Sequence, residues 1–241
     1  MSSRKKDPAI PTKPAAAPSA FARVRRLPER GAYDAKAIHA ILDAATHCHV
    51  AHVVDGRPVA IPTLHWRHGR RLYWHGSAAS RMLAANSVGA EVCITVTIIE
   101  GFVLARSGFN HSINYRSAMC FGKPSEVTDP KEKSAALEHF LEHWLPGRWS
   151  TLRPPTRKEL GATRVFSIAL NQCSAKVREG GPHDPDADVP WPTWAGVIPL
   201  VTRAGEAIAA EDYAGALKAP RLALIVPLAA STRPGRRRPA Q

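Results

Sequence analysis

The 241-residue chain is short of several features that would assign it to a familiar class at once. It has no apolar run of the roughly 18 residues that a membrane span needs. The best local run, Leu222 to Ala230, is far too short. Basic residues dot the first twenty positions without the apolar core of a secretory signal, so a cytoplasmic protein with no membrane partner is expected. Cysteine is scarce: Cys48, Cys93, Cys120 and Cys173 stand 45, 27 and 53 residues apart. No CxxC pair exists to hold zinc or exchange disulfides. Cys93 and Cys120 fall within apolar runs and are expected to be buried, inert thiols. Acidic residues are also scarce, 20 against 33 basic, leaving a net charge of +13.

The location of that charge matters more than its size. Residues 1–20 carry +3 and residues 231–241 carry +4, so seven of the thirteen charges lie in two Pro/Ala/Ser-rich ends. Such ends read as solvated, disordered tails with weak electrostatic contact to polyanions. Neither has an aromatic residue on which a base could stack, so no specific nucleic-acid partner is expected. Between the tails, 44% hydrophobic and 22% charged composition suits one globular domain with a real core. The expected division is a basic tail over 1–22, a domain over 23–200 and an extension over 201–241 ending in the second tail.

Within the domain, Asp34 is placed to cap a helix carrying Ile38, Ile41 and Leu42 at helical spacing. Strand-like runs Cys48–Val54 and Val59–Trp66 flank Asp55-Gly56, a hairpin signal. A turn at His68-Gly69 leads to the run Arg71–His75, and a short helix from Ser77 through Asn86 follows. Two strands, Glu91–Ile99 and Gly101–Ser107, are expected to turn tightly at Glu100-Gly101, with another over Ala118–Thr128. A helix from Asp129-Pro130 carries Leu137, Phe140, Leu141, Trp144 and Leu145 as an apolar stripe, ended by Pro146-Gly147. A strand pair or long strand covers Val165–Val177. The order suggests a mainly β fold, a closed antiparallel barrel with peripheral helices.

Two segments could carry chemistry. His75-Gly-Ser-Ala-Ala-Ser-Arg81 joins a strand to a helix start, where free N–H groups, the Ser77 and Ser80 hydroxyls and Arg81 suit a phosphate. The same pattern serves an ordinary helix cap. Ser107–Ser117 sets many side-chain donors and acceptors between apolar strands, as a flavin edge requires and as a polar rim loop also provides. His139-Phe-Leu-Glu-His143 fits an H-x-x-E-H zinc motif, but helical spacing turns both histidines away from the apolar stripe, so no metal site is expected.

The ordered set Arg-Leu-Pro-Glu-Arg-Gly31, Ile61-Pro-Thr63, Leu72–Leu83, Asn114–Ser117 with Phe121-Gly122, Ser174–Arg178 and Trp194–Val197 resembles the FMN-binding split β-barrel family. This is the pyridoxamine 5′-phosphate oxidase-like group, and the likeness is greatest to its 5-nitroimidazole reductase-like, nitroimidazole-resistance branch. It spans residues 23–200. The resemblance implies an antiparallel FMN-binding split barrel, working as a homodimer with the flavin at the subunit interface. It places Pro62 and Thr63 beside the flavin ring through their backbone. His75, Ser77, Ser80 and Arg81 surround the phosphate. Asn114, Arg116 and Ser117 lie near the flavin or face it from the partner, and Trp194 closes the site. The arginine and histidine set that grips pyridoxamine phosphate is not evident near the carboxyl end, which points to another small-molecule substrate. The implied activity is FMN-dependent reduction of a small acceptor, with no residue standing out as acid or base. A non-catalytic flavin carrier or redox sensor, a haem-binding split barrel and a deazaflavin protein are the alternatives.

Overall fold

The computed structural model describes residues 15–80, 83, 89–215 and 218–222. Helix α1, Ala35–Ala44, starts where Asp34 accepts a 2.8 Å hydrogen bond from the Ala37 N–H, and it buries Ile38, Ile41 and Leu42. Strands β2 (Cys48–Val54) and β3 (Arg57–Thr63) form the expected hairpin. Asp55 and Gly56 both take positive φ, 49° and 74°, as a turn matched to strand twist requires. Strands β4 (His65–His68) and β5 (Arg71–Ser77) follow. Next come β6 (Val92–Leu104), β7 (Ser112–Gly122) and β8 (Ser125–Glu126). Helices α2 (Pro130–Trp144) and α3 (Arg157–Ala162) precede β9 (Thr163–Ala169), β10 (Cys173–Arg178) and β11 (Gly196–Pro199). A two-residue strand, β1, Gly31–Ala32, comes before α1.

The fold is a mainly β, antiparallel split barrel with peripheral helices. One sheet runs β1-β10-β7-β6-β2-β3, with β11 also on β6, and the other runs β4-β5-β9-β8. Their facing sides share one core with α1, centred on Val50, Leu72, Trp74, Ile94, Cys120, Phe166 and Ile168. The far side of the smaller sheet packs on α2 through Trp66, Val165, Ala136, Leu137 and Phe140.

Several boundaries differ from the expectation, each for a tertiary reason. The barrel is not closed into one ladder among the described residues, because the chain passes from sheet to sheet at Leu64 and at Leu170–Gln172. The run Val59–Trp66 is therefore two strands. One strand, Val92–Leu104, stands where two were expected over Glu91–Ser107: Glu100 sits in a bulge between the Ile99 and Gly101 pairs, and its carboxylate takes Arg116. Strand β7 begins at Ser112 rather than Ala118, so half of the polar segment is ladder. The α2 stripe is only half-buried, and α3, opened by a Thr156–Glu159 capping box, was not foreseen. Cys93 is half-buried while the other three cysteines are buried. Residues 1–14 of the first tail, the whole of the second and most of the Ser77–Asn86 helix lie outside the described residues, whereas residues 15–22 are described, with Ala22 buried and the Phe21 ring 4.5 Å from that of Phe121.

Candidate functional site on the outer sheet face

Alternation along β7 sends Ala118 and Cys120 into the core and leaves Met119 43% exposed on the opposite, outer face. The ladder register extends this face into rows. One row is Pro62, His49, Thr95, Met119 and Ser174, and its neighbour is Ala60, Ala51, Cys93 and Phe121. Farther along β6, Ile99 and Phe102 are also exposed, as is Ile198 in β11. A sheet face built largely from small and apolar side chains, and covered at Phe121 by the Phe21 ring 4.5 Å away, marks a surface for a partner or a flat ligand. A groove of about 360 Å³ opens on it, lined by Ala51, Val53, Ala60, Cys93 and Phe121, with His52 at its wall.

Pro62 and Thr63 end β3 at the margin of this face, and the Thr63 hydroxyl donates to the His75 carbonyl at 3.4 Å, tying β3 to β5. The His75 ring lies between Trp66 and Phe140, with centroids 5.8 and 4.8 Å away, and burial holds its pKa below the usual value. Its Nδ1 is buried without a partner. At the turn that follows, the N–H groups of Ala78, Ala79 and Ser80 are bonded to Ala162 O, Ser77 Oγ and Ser77 O. Among the described residues, a phosphate here would meet the Ser77 and Ser80 hydroxyls rather than those amides. Arg81 lies outside the described residues.

The other group sits on β7. Ser117 belongs to the outer face, in register with Thr97 and Lys176, whereas Asn114 and Arg116 alternate to the other side. Each is committed within the chain: Asn114 donates to Gly180 O at 3.1 Å, Arg116 pairs with Glu100 at 2.8 Å and Ser117 donates to Lys176 O at 3.3 Å. Trp194 is 62% exposed, and its indole lies against Gly196, where any Cβ would come within 2.9 Å of the ring. The structure thus brings Pro62, Thr63, His75, Ser77 and Ser80 together around the ends of β3 and β5. It puts Asn114, Arg116 and Ser117 on a different strand.

Three residues not singled out as site candidates from the sequence stand out in the structure. His49 is exposed on the outer face, and its ring meets His47 at 5.5 Å. His52 is 6% exposed with neither ring nitrogen bonded. Arg178 is buried to 5% exposure and donates to Asn114 Oδ1, Gly180 O and Gly181 O. The two histidines could have been found from strand alternation in Cys48–Val54, which gives His49 and His52 opposite faces. Nothing local marks Arg178 as buried.

The profile of the pyridoxamine 5′-phosphate oxidase family matches residues 34–177. No curated protein matches the chain significantly. Among solved structures, the flavocytochrome Anf3 from Azotobacter vinelandii is 37% identical with a TM-score of 0.82, covering 86% of this chain and 96% of that one. The FAD and haem binding protein from Mycobacterium smegmatis is also 37% identical, with a TM-score of 0.76, covering 79% and 94%. A 5-nitroimidazole antibiotic resistance protein from Bacteroides thetaiotaomicron shares the fold at 24% identity and a TM-score of 0.52, covering 61% and 86%.

Proposed function

Because the chain belongs to the pyridoxamine 5′-phosphate oxidase family, we propose that it is a flavin- and haem-binding redox protein that works as a homodimer through its outer sheet face. The observation that carries this reading is the 37% identity, over 86% of the chain, with a flavocytochrome. The FAD and haem binding protein of equal identity makes FAD the flavin expected here, in place of the FMN that the family resemblance alone implies.

The residues suit both groups. The outer face offers a flat floor of Ala51, Ala60, Thr95 and Met119 on which an aromatic ring can lie. Pro62 and Thr63 border it with backbone polar groups, and Ser77 and Ser80 hold hydroxyls nearby along the chain. His49 stands on the same face, level with Pro62 and with no hydrogen bond to either ring nitrogen among the described residues, so its imidazole can ligate a haem iron. Bound flavin supplies hydride or single-electron transfer and haem supplies one-electron chemistry. The protein binds and orients both, and excludes water when a second copy covers the face.

Cofactor-stripped protein titrated with FAD, FMN and haemin tests this. Flavin fluorescence should be quenched on binding, more tightly for FAD than for FMN, and haemin should give a sharpened Soret band. His49→Ala should abolish that band's shift while leaving flavin binding intact. Absence of binding by all three would defeat the proposal.

A further inference from the structure

We propose that Arg30, Lys176 and Arg178, at the edge of the large sheet where β1 meets β10, form a binding site for the diphosphate of a nucleotide. Gly31 of β1 pairs with Lys176 of β10, which places the Pro28–Arg30 turn directly beside the strand. Lys176 Nζ donates to Arg26 O at 2.8 Å and so fastens that turn down. Leu27 at its start takes φ 53° and ψ 61°, a left-handed conformation that a leucine adopts only under constraint. Backbone strain of this kind persists where surrounding contacts over-determine it, and it concentrates at ligand clamps.

Basic side chains outnumber acidic ones at this edge, with Arg26, Arg30, Lys176 and Arg178 against Glu29 and Glu179. Arg178 is 5% exposed, yet all its acceptors are neutral: Asn114 Oδ1, Gly180 O and Gly181 O. Burial, and then the neighbouring Arg30, push its pKa below the ordinary arginine value. The five ion pairs among the described residues involve none of Arg26, Arg30, Lys176 and Arg178. Of the nearby carboxylates, Glu100 is held by Arg116, and Glu29 and Glu179 are exposed and form no ion pair. A buried cation without a counter-charge is costly, and a bound anion removes the cost. Lys176 and Arg178 alternate on one strand about 6.6 Å apart, a spacing suited to two linked phosphoryl groups. The planar guanidinium retains an Nε–H and one terminal N–H beyond its named bonds, enough for a bidentate contact. Tyr115, in register with Arg178, adds an aromatic wall.

The diphosphate could belong to the protein's own flavin dinucleotide or to a separate nucleotide, and one variant distinguishes them. In the full-length holoprotein, Arg30→Gln/Lys176→Gln should melt within a few degrees of the parent, since both side chains lie at the surface edge. Calorimetric titration with inorganic pyrophosphate should show binding that falls about tenfold or more in the variant, with flavin content unchanged, if the ligand is separate. If the flavin already fills the site, pyrophosphate should not bind the parent, and the variant should lose FAD while retaining affinity for FMN. Pyrophosphate binding to protein that proves to lack flavin would support the site and defeat only the flavin reading. Equal pyrophosphate affinity in parent and variant, or no pyrophosphate binding with an unchanged FAD preference, would overturn the site. Arg30→Gln alone, read the same way, covers the case in which the double variant fails to fold.

Discussion

His65 shows how much a single buried side chain can decide. It is fully buried, and its Nε2 lies 2.9 Å from Leu42 O. A carbonyl only accepts, so Nε2 carries the proton in the neutral ring. Burial holds its pKa at about 4 against the usual 6.5. The unfolded chain therefore takes up the proton first. Stability should be fully present above about pH 6.5, decline as the pH falls toward 4, and level off below that, with a total of about 3 kcal/mol at stake. Urea midpoints at pH 7 and pH 5 should show the decline in the parent and a smaller one in His65→Leu. Equal declines would show that His65 is not the group responsible. At this scale the sequence was legible where the signal was local, as with the Asp34 cap and the Ile38/Ile41/Leu42 face. His65 was not, because its burial depends on α1 and β4 meeting across 23 residues.

At the scale of elements, β6 is the instructive case. Its thirteen residues carry pairing partners on both edges, with β2 and β11 dividing one edge and β7 running along the other. Glu100-Gly101 looks like a hairpin turn in isolation, because glycine after a polar residue is common in turns. It is a bulge because β7 continues past it and Arg116 anchors Glu100. Gly101 is needed for close approach: a Cβ there would lie 2.9 Å from the Ile198 carbonyl on β11. Gly101→Ala should cost about 1–3 kcal/mol in thermal or urea unfolding, and limited proteolysis should then cut between residues 180 and 200 more readily. A variant as stable and as protease-resistant as the parent would mean that β11 does not pack as described. Likewise, Val59–Trp66 reads as one strand by composition. Its break at Leu64 arises only because β5 and β9 lie waiting in the other sheet.

For the whole molecule, the family and the split-barrel architecture were legible from ordered motifs, while the site was legible only in part. Pro62, Thr63, Ser77 and Ser80 lie around the neighbouring ends of β3 and β5, where the Thr63 hydroxyl reaches the His75 carbonyl. Asn114, Arg116 and Ser117 do not share a direction, because strand alternation separates neighbours that are adjacent in sequence. The exposed outer face, with Met119 and Phe102 at 43% and 48% exposure, is the surface expected to close on a second copy. Light scattering should give about twice the 26.1 kDa chain mass, and Met119→Lys should return it toward the single-chain value. A parent that is monomeric at all concentrations would remove the covered face from the account.

Binding of both flavin and haem by one chain is read from an absorption spectrum of the freshly purified protein, with the released chromophores identified by mass. Flavin bands together with a Soret band, and masses of FAD and haem, are the expected result. Protein that is colourless and stays so after incubation with FAD and haemin would contradict it.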